Sequence, residues 1–533
     1  MLIHSGMLLI RAAGRSYNSL VSAPGALQLS GYQLEPLFKA HQLTPAFSAE
    51  APADHWFLAT PSSFSLDNPW DLAHAAARAA GYSFYAEPDL LQENRALIGV
   101  EPTKGLNPRW PPYGPVSPGW HLSDDRTGFL SAHNTATGKG VRIAHLDTGY
   151  WPFHKSAPKY VHPELGWDFY SNQPSTVDPG TGGLLNMPYH GMATMALLAG
   201  NKMDLAFGGK QFNDYIGGAP ESDVVPVRIG PSVIHLFTRT MAQGIDYALA
   251  PRGDPTKKCD VITISHGGLP AASWAAAVNL VYEAGIVVAA ASGDNIVTIF
   301  GPFPFHETVW PSRFNRVITV VGATYDKEPY VTSILGELQG SWGPNSVMDK
   351  AVAAYTPNVA WMTPENYDMD GGGTSSSTPQ VAAACALWLQ RHGNAYPADW
   401  RRVEACRRAL FTSATKVPDK KAYLGQGLLR VPEMLQQAVE ASKVELTPVD
   451  DVEFPLGEQL MAAGLPSTEE EKMYRVEMAQ IVYRSANRDL VREAQAFEPG
   501  IRLEAEGAGR LRQSLAAEPD ASSALKTRLS AIR

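Results

Sequence analysis

An α/β fold, a parallel sheet flanked by helices, is what the middle of this 533-residue sequence predicts. Three observations carry that expectation. Short apolar runs over 140–146, 223–229, 260–265 and 286–291 alternate with helix-compatible stretches over 234–250 and 273–284, and such alternation builds parallel sheets covered on both sides. The last run, Ile286-Val287-Val288-Ala289-Ala290-Ala291, lacks polar alternation, as strands buried on both faces do. Asp147 closes the first run at a turn, on the rim where α/β proteins build their sites. The length exceeds one ordinary domain. We divide the chain into a small α+β domain over 1–100, a linker over 101–119, the α/β domain over 120–439 and a charged, mainly helical extension over 440–533.

Taken in order, the N-terminal region reads as a strand at 7–12, a helix at 34–40, a strand at 55–59 and a clear helix at 71–80. An aromatic strand follows from Tyr82 and ends in Ala86-Glu87-Pro88-Asp89. Residues 90–118 are rich in Pro and Gly and read as loop. Within the α/β domain, Gly372-Gly373-Thr374-Ser375-Ser376-Ser377-Thr378-Pro379 leads into a small-residue helix running to about His392. The Thr378-Pro379 step is expected to open it, because a proline in the first turn forfeits no hydrogen bond. Beyond 440, residues 445–454 look extended and acidic. Ser467 and Glu470 have the spacing of a capping box. The segment to about 497 sets Met473, Val476, Ile481, Val482, Leu490 and Val491 among dense charges, an amphipathic pattern. A last helix is expected over 521–533.

Composition narrows the classes of function. A hydrophobic fraction of 44% can fill real cores. The net charge of −9, with basic residues scattered or merely paired, gives no reason to expect nucleic acid or an anionic membrane as partner. Cys259, Cys385 and Cys406 are too few for a disulfide framework, and no clustered His/Cys pattern points to zinc. The first residues lack a basic opening, a sustained apolar stretch and a small-residue cleavage site, so no secretion signal is expected there. The longest apolar region, around 278–300, is interrupted by Glu283 and Asp294 and reads as core, not as a membrane span. A cytoplasmic location is the resulting expectation.

Three residues carry chemistry. Ser375 lies near a helix N-terminus, where free backbone N–H groups favour developing negative charge. His190 starts the small-residue stretch His190-Gly191-Met192-Ala193-Thr194. A serine nucleophile needs a base, and the base needs a carboxylate to fix its tautomer. Asp147, His190 and Ser375 come in the chain order Asp, His, Ser. A capping aspartate, a core histidine and a loop serine are the plain alternatives for each residue singly. Together the three argue for acyl transfer.

Here the chain resembles the subtilisin-like serine peptidases. Asp147-Thr148-Gly149, His190-Gly191 and Gly373-Thr374-Ser375-Ser376-Ser377-Thr378-Pro379 match that family's three motifs, within roughly 120–435. The resemblance implies a subtilisin-like sheet and an endopeptidase acting on protein or peptide, with Ser375 as nucleophile, His190 as base and Asp147 orienting it. It also implies that Ser265-His266-Gly267-Gly268 receives the substrate backbone as an added strand. His266 replaces a usually apolar residue; substrate contact and packing against the triad wall are both open to it, and packing is the preferred role.

The family usually presents an Asn to the oxyanion, whereas Ala291-Ser292-Gly293-Asp294-Asn295 puts Asp294 there. Some subtilisin-like convertases and the acid-active sedolisins carry Asp at that place. Asp294 is expected to work protonated; the alternative is that Asn295 reaches the site after a local shift. The N-terminal region looks like a subtilisin-type prodomain, an inhibitor and chaperone whose tail the enzyme cuts, with a permanent domain as the alternative. No cofactor is expected; structural calcium is common in the family, and no site is assigned. The C-terminal extension is expected to dock a partner protein or to pack on the catalytic domain. A catalytically silent scaffold that binds peptides or a partner is the rival function. A lipase or esterase is disfavoured, because no Gly-x-Ser-x-Gly elbow surrounds Ser375.

Overall fold

The computed structural model describes residues 2–12, 29–43, 55–93, 105–180, 187–233, 235–299, 301–303, 306–461, 468–485, 487–495 and 504–532. The N-terminal region contains β1 (His4–Ala12), β2 (Tyr32–Pro36), β3 (His55–Pro61), α1 (Pro69–Ala79) and β4 (Tyr85–Glu93). The strands pair antiparallel, with β1 between β3 and β4 and β2 outside β3. Helix α1 begins with Pro69 behind Asn68, whose side chain accepts the Trp70 N–H. The helix expected at 34–40 is corrected: Tyr32–Pro36 is a strand. Its period is two, with exposed Gln33 and Glu35 between half-buried Tyr32, Leu34 and Pro36, and pairing with β3 satisfies its backbone.

The α/β region follows as β5 (Arg142–Asp147), β6 (Trp167–Asp168), α2 (His190–Ala199), β7 (Asp223–Arg228), β8 (His235–Phe237) and α3 (Thr238–Tyr247). It continues with β9 (Val261–Ile264), α4 (Ala272–Glu283), β10 (Val287–Ala291), β11 (Ile318–Ala323), β12 (Ala351–Tyr355), α5 (Thr374–His392) and α6 (Trp400–Ser413). Seven strands form one parallel sheet in the order β12-β11-β10-β9-β5-β7-β6. Every residue of β9, β10, β11 and β12 is buried, so the sheet needs cover on both faces. Helices α2, α5 and α6 pack on one face, α3 and α4 on the other. From β5 the chain passes to the edge strand β6 and returns to β7 beside β5, then winds outward the other way from β9 to β12. Strand order therefore reverses between β5 and β9, and the crevice at their carboxyl ends is the place where such sheets bind ligands.

The helix expected from 234 starts only at Thr238. Residues His235–Phe237 instead pair antiparallel with β4, Leu236 opposite Gln92, so the N-terminal sheet takes its edge strand from the α/β region. The long extension helix expected to 497 breaks after Arg484, giving α7 (Thr468–Arg484) and α8 (Arg488–Gln495). At the break the Ser485 hydroxyl accepts the Asn487 N–H, and Asn487 accepts that of Leu490, a local cap. Two further helices follow, α9 (Ala505–Ala517) and α10 (Ser523–Ala531), where one was expected over 521–533. Ser467 of the expected capping box and residues 94–104 of the expected loop lie outside the described residues. Among the described residues no helix is long and apolar enough to cross a membrane.

Candidate active site

Strand β5 delivers Asp147 to the crevice, buried. Its Oδ1 accepts the Thr148 N–H at 2.7 Å and meets Nδ1 of His190 at 2.8 Å. Its Oδ2 accepts the Thr194 hydroxyl at 2.9 Å. Burial alone would raise this carboxyl; the neighbouring imidazoles, His190 foremost through its charge and hydrogen bond, outweigh it and hold Asp147 below the usual carboxylate range. An ionised Asp147 makes His190 Nδ1 the donor and leaves Nε2 as the proton acceptor. Gly191 permits this pairing: a Cβ there would lie 2.0 Å from the Gly149 carbonyl oxygen, so only glycine lets α2 rest on the Asp147-Thr148-Gly149 turn.

Ser375 is the second residue of α5. The helix begins at Thr374, five residues before Pro379, which corrects the expectation that the proline opens it. Pro379 has no N–H, so the carbonyl four residues back, that of Ser375, loses its helical donor. The Ser265 hydroxyl supplies one at 3.1 Å. In return the Ser375 hydroxyl donates to the Ser265 carbonyl at 3.3 Å, pointing there rather than to His190.

On the other side of Ser375, Asp294 Oδ1 accepts the Thr374 N–H at 2.9 Å, and the Thr374 hydroxyl lies 3.3 Å from Oδ2. Burial pushes the Asp294 carboxyl up to about 6, against the pull of the Thr374 hydrogen bonds and the His190 charge. Asn295 is directed elsewhere: fully buried, its amide donates to Ser341 Oγ at 3.2 Å and accepts from Gln339 at 2.9 Å. Both bonds hold the Asn295 side chain inside the neighbouring strand pair.

Ser265, His266, Gly267 and Gly268 leave the end of β9, and Gly268 bridges antiparallel to Trp310. His266 is buried, its ring edge-on to His190 with centroids 6.0 Å apart. Burial pushes its imidazole down to about 4, so it packs there neutral. The Val309 side chain fills the space between the two glycine-bearing segments. A Cβ on Gly267 would lie 2.2 Å from Val309, and one on Gly293 3.0 Å.

Three contributors escaped sequence reading. Thr194 lies four residues after His190 on the same helix face, and His145 two before Asp147 on the same strand face; both periodicities were available. His145 Nε2 donates to Thr194 Oγ1 at 2.9 Å while that hydroxyl donates to Asp147. Trp361, 5.4 Å from His190 and edge-on, comes from the hairpin of Val359–Met362 and Tyr367–Gly371 and has no local signal. Among the described residues no group of three or more His, Cys, Asp or Glu side chains could hold a metal ion.

A parallel sheet whose crevice gathers an aspartate, a histidine and a serine at a helix start has the makings of a serine hydrolase. Residues 138–428, more than half of the chain, match the Subtilase family model. The chain belongs to the subtilase family and is a subtilisin-like serine peptidase. It is 27% identical to Subtilisin BL of Lederbergia lenta over 316 residues, 58% of this chain and 96% of that one. It is 33% identical to Subtilisin DY of Bacillus licheniformis over 220 residues, 40% of this chain and 69% of the relative. A solved structure from work on proteases of Pseudoalteromonas arctica PAMC 21717 aligns with a TM-score of 0.47 and 22% identity, over 63% of this chain and 100% of that one.

Proposed function

We propose that this subtilase is an endopeptidase working through an acyl-enzyme on Ser375. The observation that carries the reading is the 2.8 Å Asp147–His190 contact on the rim that also holds Ser375 at the start of α5. His190 Nε2 takes the hydroxyl proton as Ser375 Oγ attacks the scissile carbonyl carbon. The tetrahedral oxyanion meets the Ser375 backbone N–H, which has no intrahelical acceptor at the second helical position, and a protonated Asp294. Collapse breaks the C–N bond, and His190 passes its proton to the leaving amine. Water then hydrolyses the ester by the same proton route.

In this reading Ser265-His266-Gly267-Gly268 pairs with the substrate backbone. In this reading Val309, packed against Gly267 and Gly293, leaves little room beside them, so the residue supplying the carbonyl is small: glycine, alanine or serine. The α+β region over 1–100 is prodomain-like in this reading. Three buried, unpaired cysteines suit a reducing cytoplasm, a placement checked by cell fractionation.

Labelling of the full-length protein by a fluorophosphonate probe across about pH 4–9, a range covering a raised carboxyl and a histidine base, tests the mechanism. Labelling that disappears in Ser375→Ala is the expected result. The rival, a silent peptide-binding scaffold, has one observation in its favour, the Ser375 hydroxyl turned to Ser265. Absence of labelling at every pH, persisting after the N-terminal domain is removed from the folded protein, would establish the rival instead.

A further inference from the structure

Helix α7 touches two bodies at once. Toward the α/β domain, Gln480 Nε2 donates to the Pro270 carbonyl at 2.8 Å, and the Tyr483 ring meets Trp310 edge-on at 5.0 Å. Toward the N-terminal domain, the same Gln480 accepts the Trp70 indole N–H at 2.9 Å. Glu477 faces His74 Nε2 at 3.0 Å with both side chains buried, Tyr474 stacks on His74 at 4.4 Å, and Glu469 holds Arg11 through both oxygens at 2.8 and 2.6 Å. One side chain, Gln480, thus bridges the two domains directly.

Helix α10 closes the same region from the chain's other end. Asp71, in the first turn of α1, accepts the N–H groups of Ser523 and Ala524 at 3.0 and 3.1 Å, and Asn68 donates to the Asp520 carbonyl at 2.9 Å. The Ser522 N–H donates to Glu477 at 2.8 Å. Buried Glu477 therefore draws partners from the N-terminal domain and from the last helix together. Removing the domain would strand this carboxylate without His74, and a buried charge deprived of a partner is costly.

The domain has a second set of anchors on the α/β side. Glu87 accepts the N–H groups of Ala272 and Ser273 at the start of α4, at 2.8 and 2.9 Å. Asp246 on α3 accepts those of Ala40 and His41 at 2.8 and 3.0 Å. Trp70, Ala73 and Ala77 share one apolar cluster with Met473, Val476 and Leu525. The N-terminal domain is gripped from two sides.

We infer that the C-terminal extension is a clasp whose partner is the chain's own N-terminal domain, and that it slows this domain's release, beyond what the α/β contacts do, whenever the connection between them is severed. The inference is independent of the proposed catalytic mechanism.

The test uses full-length protein carrying Ser375→Ala, which removes self-cleavage, with a recognition sequence for an unrelated site-specific protease placed within 94–104. After cutting, gel filtration and native mass spectrometry follow the N-terminal fragment. The expected result is co-migration with the remainder, and release at least about tenfold faster from the Asp71→Ala/Glu469→Ala variant, as expected when a charged partner is truncated at an interface. Near-UV circular dichroism of the uncut variant separates release from unfolding. Where that variant loses its signature, Asp71→Ala alone takes its place, since Asp71 is partly exposed. Immediate loss of the fragment from the parent, or equal retention by parent and folded variant, would overturn the clasp.

Discussion

The two halves of the site differ in how their carboxylates are held. Asp147 accepts three hydrogen bonds, from Thr148, His190 and Thr194, and stays ionised although buried. Asp294, on the other side of Ser375, has Thr374 as its sole donor among the described residues and is pushed up to about 6. Burial acts the same way on both; the neighbouring charges and hydrogen bonds decide the outcome. In the proposed mechanism the relay half is thus organised around a fixed negative charge, and the oxyanion half around a carboxyl that can carry a proton on Oδ2. The difference is a functional requirement in the proposed mechanism, since one carboxylate must stabilise an imidazolium and the other an oxyanion.

The largest expected effect breaks the relay half alone. Asp147→Asn should lower kcat on the order of 10⁴-fold, because an amide can hold His190 in the wrong tautomer. Hydrolysis of a fluorogenic peptide library measures it, and a loss under tenfold would remove Asp147 from the mechanism. The second probes the oxyanion half. Below its pKa of about 6 Asp294 can donate to the oxyanion, and as pH rises through that value the donor is lost. At about pH 8 roughly one carboxyl in a hundred remains protonated, so Asp294→Asn, a donor at every pH, should raise kcat/KM there by up to ~100-fold and leave acid-side activity nearly unchanged. Identical pH profiles for parent and variant would show that Asp294 does not act as a protonated donor.

A third effect, of similar size at most, concerns the space that Val309 fills between Gly267 and Gly293. Val309→Gly should extend cleavage to bulkier side chains at the residue supplying the carbonyl, by about 10–200-fold for Leu or Phe, the range that a few methylenes command in an apolar pocket. Library profiling checks it. An unchanged preference would mean that the side chain does not enter beside Gly267 and Gly293.

Four of the seven sheet strands, β5, β7, β9 and β10, could be read from sequence because they are largely buried on both faces and their runs are mainly apolar, with single polar residues such as His145 and Thr263. Strand β8 could not: its pairing with β4 joins residues far apart in the chain. Pro379 misled for a related reason, since the donor that replaces its helical bond, Ser265, belongs to a distant loop. Asp147, His190 and Ser375 were visible as motifs because backbone contact constrains their neighbours, as at Gly191 against Gly149. The packing of α7 and α10 on α1 was invisible, because charged residues such as Asp71, Glu469 and Glu477 read as solvated surface until their partners are known.

Thr194 carries the smallest predicted effect and the finest test of the relay half. Its hydroxyl donates to Asp147 Oδ2 and accepts from His145, so Thr194→Val removes one of three donors to the carboxylate and orphans a buried histidine N–H. Thr148 and His190 still hold Oδ1, so the tautomer is retained and the loss must fall far short of that in Asp147→Asn. A hydrogen bond to a charged group contributes about 1.5–3 kcal/mol. Part of that loss should appear as thermal destabilisation, and the remainder as a fall in kcat of about tenfold with KM unchanged, because the residue positions Asp147 and touches no substrate. Thr194→Ser, which restores the hydroxyl, should recover kcat. A variant destabilised but fully active would place Thr194 in the fold alone, leaving Asp147 held for catalysis by Thr148 and His190.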